Sequence, residues 1–365
     1  MVFDIKKTLV SLFMGANAVS IAVMCLVAYS GFLPPMDFPL LSNLQFVFPL
    51  MLLINLGFVL FWVIFRLRNI WLPIVGFLLV IIPLRAYCPI NGKPQSTEGA
   101  LKVISYNICG FIFLGEDHQT AILDFLKKES ADIVCLQEMT QSVAQQQEIR
   151  QSLRAEYPYS EFVKISSKGE CVGVFSKLPI DGYEIIPYQS AGNLSVAYRL
   201  SAPEGTIYLI NNHLESVGLS MKDKGDFEYL VSGDADRTYA KAETKLLIQK
   251  IMTASAIRGK QARAVAKFIH DHQDERIICC GDFNDPPLSY TRQTIGRELN
   301  DCYIAAGNGP GWSFSAHKML FRIDNILCSD HWETARCEID NSQKNSDHYP
   351  IISWLLPTRE EKNAK

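Results

Sequence analysis

Ile277-Ile278-Cys279-Cys280-Gly281-Asp282-Phe283-Asn284-Asp285-Pro286-Pro287 is the stretch around which the rest of the chain is organised. Four apolar residues in succession read as a buried strand, which Gly, Asp, Asn and two prolines stop abruptly. Asp282 and Asn284, two apart on an extended chain, point to one face at the open end of a rigid element. A carboxylate beside a neutral amide can bind a metal or a water, or orient a phosphate. The same residue types also favour an ordinary turn, so the remainder of the chain must decide.

Other apolar runs end in the same way. Leu101–Asn107 is a strand closed by Asn107, and Ile133–Leu136 is a buried strand followed by Gln137 and Glu138. Strands at Cys171–Phe175, Val196–Leu200 and Ile207–Asn211 follow, the last running into Asn212-His213-Leu214-Glu215. Beyond the opening stretch come Arg322–Leu327, which carries Asp324, and Ser346–Ile352, which carries Asp347 and His348. Helical spacing covers Ala121–Lys128 and a polar segment at Gln141–Glu156. A long helix ends near His270 and is expected to break around Ser255–Gly259. Short strands grouped between helices predict an α/β sandwich of two packed sheets. Asn107, Glu138, His213, Asp282, Asn284, Asp324, Asp347 and His348 thus all close or flank apolar runs. Hard oxygen donors with two histidines among them suit a hard-metal site. GxxxxGK[ST], GxSxG and HExxH are absent, which removes the common NTPase, serine-hydrolase and zinc-protease signatures.

Six ordered motifs give this pattern a family likeness: Ser105-Tyr106-Asn107, Leu136-Gln137-Glu138, Asn211–Glu215, Gly281–Asp285, Arg322–Leu327 and Ser346–Pro350. Over Leu101–Leu356 the chain resembles the endonuclease/exonuclease/phosphatase superfamily. Its members include DNase I-like nucleases, apurinic endonucleases, inositol phosphatases and neutral sphingomyelinases. The resemblance implies a two-sheet αββα sandwich of the DNase I-like kind. It implies Glu138 as the main Mg²⁺ (or Mn²⁺) ligand, with Asn107 beside it and Asp347 close to the metal. Asp282 would orient or deprotonate the attacking water, and Asn284 would hold a phosphate oxygen. His348, oriented by Asp324, would donate to the phosphoryl oxygen, and His213 would stabilise the transition state or assist the leaving group. Two departures weaken a nuclease assignment. Ser166–Glu170 stands where many nucleases carry a Tyr, and Arg199 is not clearly in register with the Arg they often place before the His motif. The polar excursion Ser216–Arg237, longer than a hairpin needs and adjacent to His213, is a candidate substrate lid.

The 365-residue chain is uneven. Up to Ala86 it carries only Lys6, Lys7, Arg66, Arg68 and Arg85 against Asp4 and Asp37, leaving 30 basic and 36 acidic residues beyond. An acidic body argues against broad electrostatic capture of nucleic acid. The uncharged runs Leu9–Leu33 and Phe38–Phe65 suffice to cross a bilayer, and Ile70–Leu84, bracketed by Pro73 and Pro83, is marginal. Three transmembrane helices are expected over about 9–33, 44–65 and 70–86. A linker at 91–100, a catalytic domain at 101–357 and a polar tail at 358–365 follow. Lys6-Lys7 and the Arg66/Arg68 loop belong on the cytoplasmic side, which with three crossings makes this a multi-pass cell (inner) membrane protein with an extracytoplasmic body. Ten cysteines fit an oxidising compartment poorly. They show no metal or disulfide framework, and Cys135, Cys171, Cys279, Cys280 and Cys328 read as buried core.

The expected protein is a membrane-anchored, Mg²⁺-dependent phosphoesterase hydrolysing a phosphodiester or phosphomonoester by in-line water attack. Its partner is a phosphate ester, whether lipid, nucleotide, sugar phosphate or nucleic acid, with membrane lipid around the N-terminal helices; no protein partner is inferable. The alternatives are a nuclease acting on DNA or RNA and, from a different class, an inactive membrane-tethered binding module. Against the latter, the GDxN and SDH residues are intact.

Overall fold

A computed structural model describes residues 5–140, 142–165, 169, 171–190, 192–218, 223, 225, 228–229, 232, 237–316 and 319–358. The expected lid at Ser216–Arg237, the segment Ser166–Glu170 and the tail 358–365 lie largely outside the described residues. In chain order the strands are β1 (Leu101–Asn107), β2 (Ile112–Phe113), β3 (Glu116–Asp117), β4 (Ile133–Gln137), β5 (Tyr159–Lys164) and β6 (Cys171–Ser176). They continue with β7 (Ile180–Ile185), β8 (Leu194–Ala202), β9 (Gly205–His213), β10 (Arg276–Asp282) and β11 (Asn300–Asp301). The last are β12 (Phe314–Ala316), β13 (Met319–Phe321), β14 (Asp324–Cys328), β15 (Trp332–Ile339) and β16 (Ile351–Pro357).

Two six-stranded sheets result, ordered β15-β16-β1-β4-β6-β5 and β11-β14-β10-β9-β8-β7. Each contains one parallel pair, β1 with β4 and β9 with β10, flanked by antiparallel neighbours. A parallel pair needs a helical crossover. Gln119–Glu129 supplies the first, and Arg237–Asp271 lies within the second. Val103, Cys135, Val174, Val196, Leu209, Cys280 and Ile326 pack together between the sheets. The outer faces are covered by the helices at 119–129 and 143–153 on one side and by the long helix on the other. The result is a helix–sheet–sheet–helix sandwich. All ten cysteines are free, and the five read as core are buried.

The N-terminal helices are α1 (Ile5–Ala28), α2 (Phe48–Phe65), α3 (Trp71–Leu79) and α4 (Ile81–Tyr87). Lys7–Phe32 and Leu41–Phe65 are long and apolar enough to cross a membrane. They pack antiparallel, with Trp62 Nε1 donating to Asn17 Oδ1 at 3.0 Å and Ser20 donating to Asn55 Oδ1 at 3.0 Å. Such bonds are common glue between apolar helices. The third expected span is not one straight helix. Leu67–Leu79 and Ile81–Tyr87 meet at 64°. Pro83 explains the bend, because it has no N–H for the carbonyl of Leu79 and its ring crowds that carbonyl. The Tyr29 hydroxyl takes the freed Leu79 oxygen at 2.7 Å.

The helices dock onto the body through the α1–α2 connection and the end of α4. Phe46 meets Phe321 edge-on, Leu288 joins the cluster of Met24, Val27, Phe48 and Val80, and buried Arg322 donates to the carbonyls of Ala86 and Pro310. The expected break at Ser255–Gly259 does not occur: Arg237–Asp271 is one 35-residue helix. Ser255 instead donates to Asn43 Oδ1 at 2.8 Å. A Cβ on Gly259 would stand 2.5 Å from Met36 Sδ. The small residues that resemble a helix breaker are the seat of the α1–α2 connection.

Gly281 shows how tightly the centre of the second sheet is made. Its φ is +126°, and a Cβ there would lie 2.0 Å from the Asn212 carbonyl on the neighbouring strand. Gly281→Ala is expected to cost about 3 kcal/mol or more, read as a fall in thermal midpoint. A midpoint unchanged from the parent would refute this account of the strand pair.

Candidate active site at the paired strand ends

Register places the polar residues. Asp282 at the end of β10 stands opposite His213 on parallel β9 and opposite Asp324 on antiparallel β14. Residues in one register row share a sheet face, so three chemically active side chains converge without help from any loop. In the first sheet Asn107 stands opposite Gln137. Glu138, one residue further, would continue to the wrong face in an extended chain. Its φ of +53° turns it back, and its Oε1 accepts from Asn107 Nδ2 at 2.9 Å. A non-glycine residue held there is strained, a feature typical of functional sites.

The two sheets are tied together directly beneath this edge. Gln137 Nε2 donates to Asn211 Oδ1 at 2.7 Å, and Asn211 Nδ2 donates to the carbonyls of Leu136 and Gly173 at 3.2 and 3.1 Å. Asn107 Nδ2 reaches across to Asp282 Oδ2 at 3.1 Å. Asn284, at φ +52°, gives its backbone N–H to Asp282 Oδ1 at 2.8 Å. Its amide donates to Asp282 Oδ2 at 3.1 Å and to the Leu214 carbonyl at 2.9 Å.

His348 completes the edge. Its Nδ1 lies 2.9 Å from Asp324 Oδ2 and its Nε2 3.8 Å from Asp282 Oδ2, and the ring of Phe314 meets it edge-on. Burial alone would lower its pKa. The charges of Asp324 and Asp282, with the Asp324 hydrogen bond, outweigh burial and hold it near 10, so the ring is an imidazolium at neutral pH. Asp282 is raised to about 6, first by burial and then by the Asp324 charge, with His348 and His213 pulling it back. It stays predominantly ionised at neutral pH.

Of the eight residues singled out in the sequence, seven form this convergent cluster. Asp347 lies beside it, half-buried, with the Ser346 hydroxyl 3.5 Å from its Oδ1 and its negative charge favouring the protonated form of His348. Residues not singled out hold the cluster in place. Ser346 donates to the Asn107 carbonyl at 2.8 Å and so joins the last motif to the first. The Ser313 hydroxyl accepts from the backbone N–H of Ile323 and Asp324 at 3.0 Å each. Ser313 sits in a Gly-rich loop with no motif of its own, so nothing local signals it.

A cation fits the donor set. Asp282, Asp324 and His348 offer ligand atoms within 4.8 Å of one another, but the imidazolium is committed to Asp324 as a donor. The carboxylate better suited is Glu138, whose side chain is 34% exposed and 3.6 Å from His213 Nε2. Among the described residues, buried His213 has no hydrogen-bond partner on either ring nitrogen, and Asp324 Oδ1 has none. Buried polar atoms of this kind call for a partner. Carboxylate and amide oxygens suit a hard divalent ion.

The sandwich and its edge of carboxylates and imidazoles suit chemistry on a phosphate ester. A family model described as the Endonuclease/Exonuclease/phosphatase family matches residues 104–348, and a domain of unknown function (DUF8431) matches residues 10–87. The chain belongs to the endonuclease/exonuclease/phosphatase family. It is 26% identical over 292 residues to the inositol phosphosphingolipids phospholipase C of Schizosaccharomyces pombe. That alignment covers 73% of this chain and 62% of the relative, so the chain spans less than two-thirds of the relative's length. In fold it is similar to an endonuclease/exonuclease/phosphatase from Beutenbergia cavernae, with a TM-score of 0.52 at 16% identity over 70% of this chain and 71% of that one. It is similar too to the human Nocturnin catalytic domain with bound sulfate, with a TM-score of 0.51 at 16% identity over 73% and 97%.

Glu138→Ala and His348→Ala are each expected to lower turnover by about 10²-fold or more while the chain still folds, since electrostatic and acid–base groups contribute about 10² to 10⁴ each. A folded variant turning over at the parental rate removes that residue from the machinery.

Proposed function

We propose that this protein is a membrane-anchored, Mg²⁺- or Mn²⁺-dependent phosphodiesterase that cleaves the headgroup phosphodiester of a membrane lipid. The observation that carries the chemistry is the placement of two buried histidines about the Asp282 carboxylate: the imidazolium of His348, and His213, whose ring nitrogens make no hydrogen bond among the described residues. Such a pocket suits an anionic phosphate and the water that attacks it. The lipid reading draws on the phospholipase C likeness, on the acidic body and on the packing of the apolar helices against Leu288, four residues beyond Asn284.

Glu138, with Asn107 beside it and Asp347 nearby, would hold the cation, which supplies charge neutralisation at the phosphate when bound. Asn107 presents Nδ2 to the carboxylates, so it would coordinate after its amide turns over. Asp282 accepts a proton from the attacking water as the new P–O bond forms, and the buried donors around it fix its direction. His348 Nε2 donates to a phosphoryl oxygen as negative charge builds, and Asp324 holds the ring and stabilises its positive form. His213 would donate to the departing lipid oxygen. Both hydrogens of the Asn284 amide are already used, so it reaches a phosphate oxygen only by exchanging its bond to Asp282.

The catalytic body is proposed to lie on the opposite membrane face from Lys6-Lys7 and Arg66/Arg68. In support, Gly76 abuts Ile21, Tyr29 bonds Leu79 and Phe48 meets Tyr87, so the bent pair runs alongside α1 toward the body. The α1–α2 connection and Tyr87 then share one face, as three crossings require.

Two measurements test these readings. The detergent-solubilised full chain, offered sphingolipid and glycerolipid phosphodiesters, DNA, RNA and nucleotides, is expected to cleave the lipids with Mg²⁺ or Mn²⁺ and nothing after EDTA. Full activity in EDTA removes the metal, and preference for nucleic acid removes the lipid. Alkaline phosphatase fused after Lys365 is expected to be active and a cytoplasm-dependent fluorescent protein dark; the reverse means that only two helices cross.

A further inference from the structure

A cavity of about 730 Å³ opens away from the catalytic edge, between the end of the first apolar helix and the body. Gly31 and Phe32 form one wall, and the other comes from the long helix and the turn that follows Tyr290. None of the residues at the catalytic edge lines it. The wall is fixed: a Cβ on Gly31 would lie 1.7 Å from the Leu288 carbonyl oxygen. Phe32 ends the candidate span Lys7–Phe32 and is 67% exposed, so the mouth of the cavity lies at the level where that helix would leave a bilayer.

The cavity has two chemistries. Ala266, Ile269 and Ile295 give it an apolar floor, and the fixed cations Arg263, Lys267 and Arg297 stand around it against one carboxylate, Glu298. Glu298 faces His270 at 3.0 Å. Lys267 is paired with Asp271 on the open surface, where such pairs contribute little. Arg263 bonds the Tyr290 hydroxyl through Nε at 2.8 Å and lies over its ring, which holds the guanidinium in place and leaves both terminal nitrogens uncommitted among the described residues. Arg297 has no partner among the described residues. Two guanidinium groups able to grip an oxyanion, an apolar floor and a mouth at the end of a membrane helix match one kind of ligand.

We propose that this cavity binds the headgroup of an anionic phospholipid, its phosphate between Arg263 and Arg297 and its chains beside Phe32. The proposal rests on the placement of the first helix in a bilayer and not on the catalytic reading. Bound lipid here would seat the body on an anionic membrane surface at a point separate from the substrate site. A zwitterionic lipid carries the same phosphate with a cation attached and suits the basic rim less well.

The test uses the full chain in nonionic detergent, with thermal midpoint as readout and dioctanoyl phosphatidylglycerol, dioctanoyl phosphatidylcholine or inorganic phosphate as probe. Phosphatidylglycerol is expected to raise the midpoint by several degrees, as ligand binding to the folded state does. Phosphatidylcholine should raise it less and inorganic phosphate not at all. The rise should persist in Glu138→Ala, which alters only the catalytic edge. It should vanish in Arg263→Gln/Arg297→Gln while the lipid-free midpoint and turnover stay at parental values. Should loss of the Tyr290 contact unfold that variant, Lys267→Gln/Arg297→Gln, on exposed positions, replaces it and is expected to lower the rise at least by half. No rise in the parent, or one that survives the arginine changes, overturns the site. A rise lost in Glu138→Ala places the lipid at the catalytic edge instead, and an equal rise with inorganic phosphate makes the ligand a free anion; either overturns the proposal. Turnover on lipid phosphodiesters is read separately, so failure of this site and failure of the catalytic reading are distinguishable.

Discussion

The arrangement of the whole edge depends on keeping Asp282 charged inside the protein. A buried carboxylate is tolerated only where donors and opposite charge replace the water it has lost. Here Asn107 reaches it from one sheet, and Asn284 and the two histidines reach it from the other sheet and the closing loop. That requirement couples the two sheets: the edge exists only if β1 and β10 are brought within a hydrogen bond of each other. The Gln137–Asn211 contact beneath it meets the same demand with neutral amides.

The same economy of position appears at the junction with the N-terminal helices. Arg322 precedes Asp324 by two residues in one motif. It is buried, lies over the Tyr303 ring and donates to the carbonyls of Ala86 and Pro310. The strand that supplies the partner of His348 therefore begins at the point where the last apolar helix ends. Leu288 plays a similar part after Asn284. The apolar helices thus brace loops that leave the polar edge, and a shift of the helices would be felt there through two short segments of chain.

Much of the fold was legible in the sequence because its signals are local. Uninterrupted apolar runs stopped by Gly, Asp and Pro mark buried strands whatever their neighbours. The six ordered motifs then identified the sandwich and drew attention to the residues of the edge. The reading failed where a local pattern has two meanings. Ser255 and Gly259 weaken a helix in isolation, yet here one bonds Asn43 and the other admits Met36, so packing overrides propensity. Ile70–Leu84 keeps the composition of a crossing segment, and what the sequence did not show is its 64° bend, where Pro83 removes one backbone bond and Tyr29 from another helix satisfies the stranded carbonyl.

The sequence by itself determined which polar residues close or flank strands, because that follows from side-chain type and apolar patterning along a few neighbours. Only the tertiary structure decided how they face one another. The row of His213, Asp282 and Asp324 comes from inter-strand register, the orientation of Glu138 from a positive φ, and the support from Ser313 and Ser346 from contacts across long stretches of chain. Charge and hydrogen bonding act through space, and distance in space is what a linear pattern of residues does not contain.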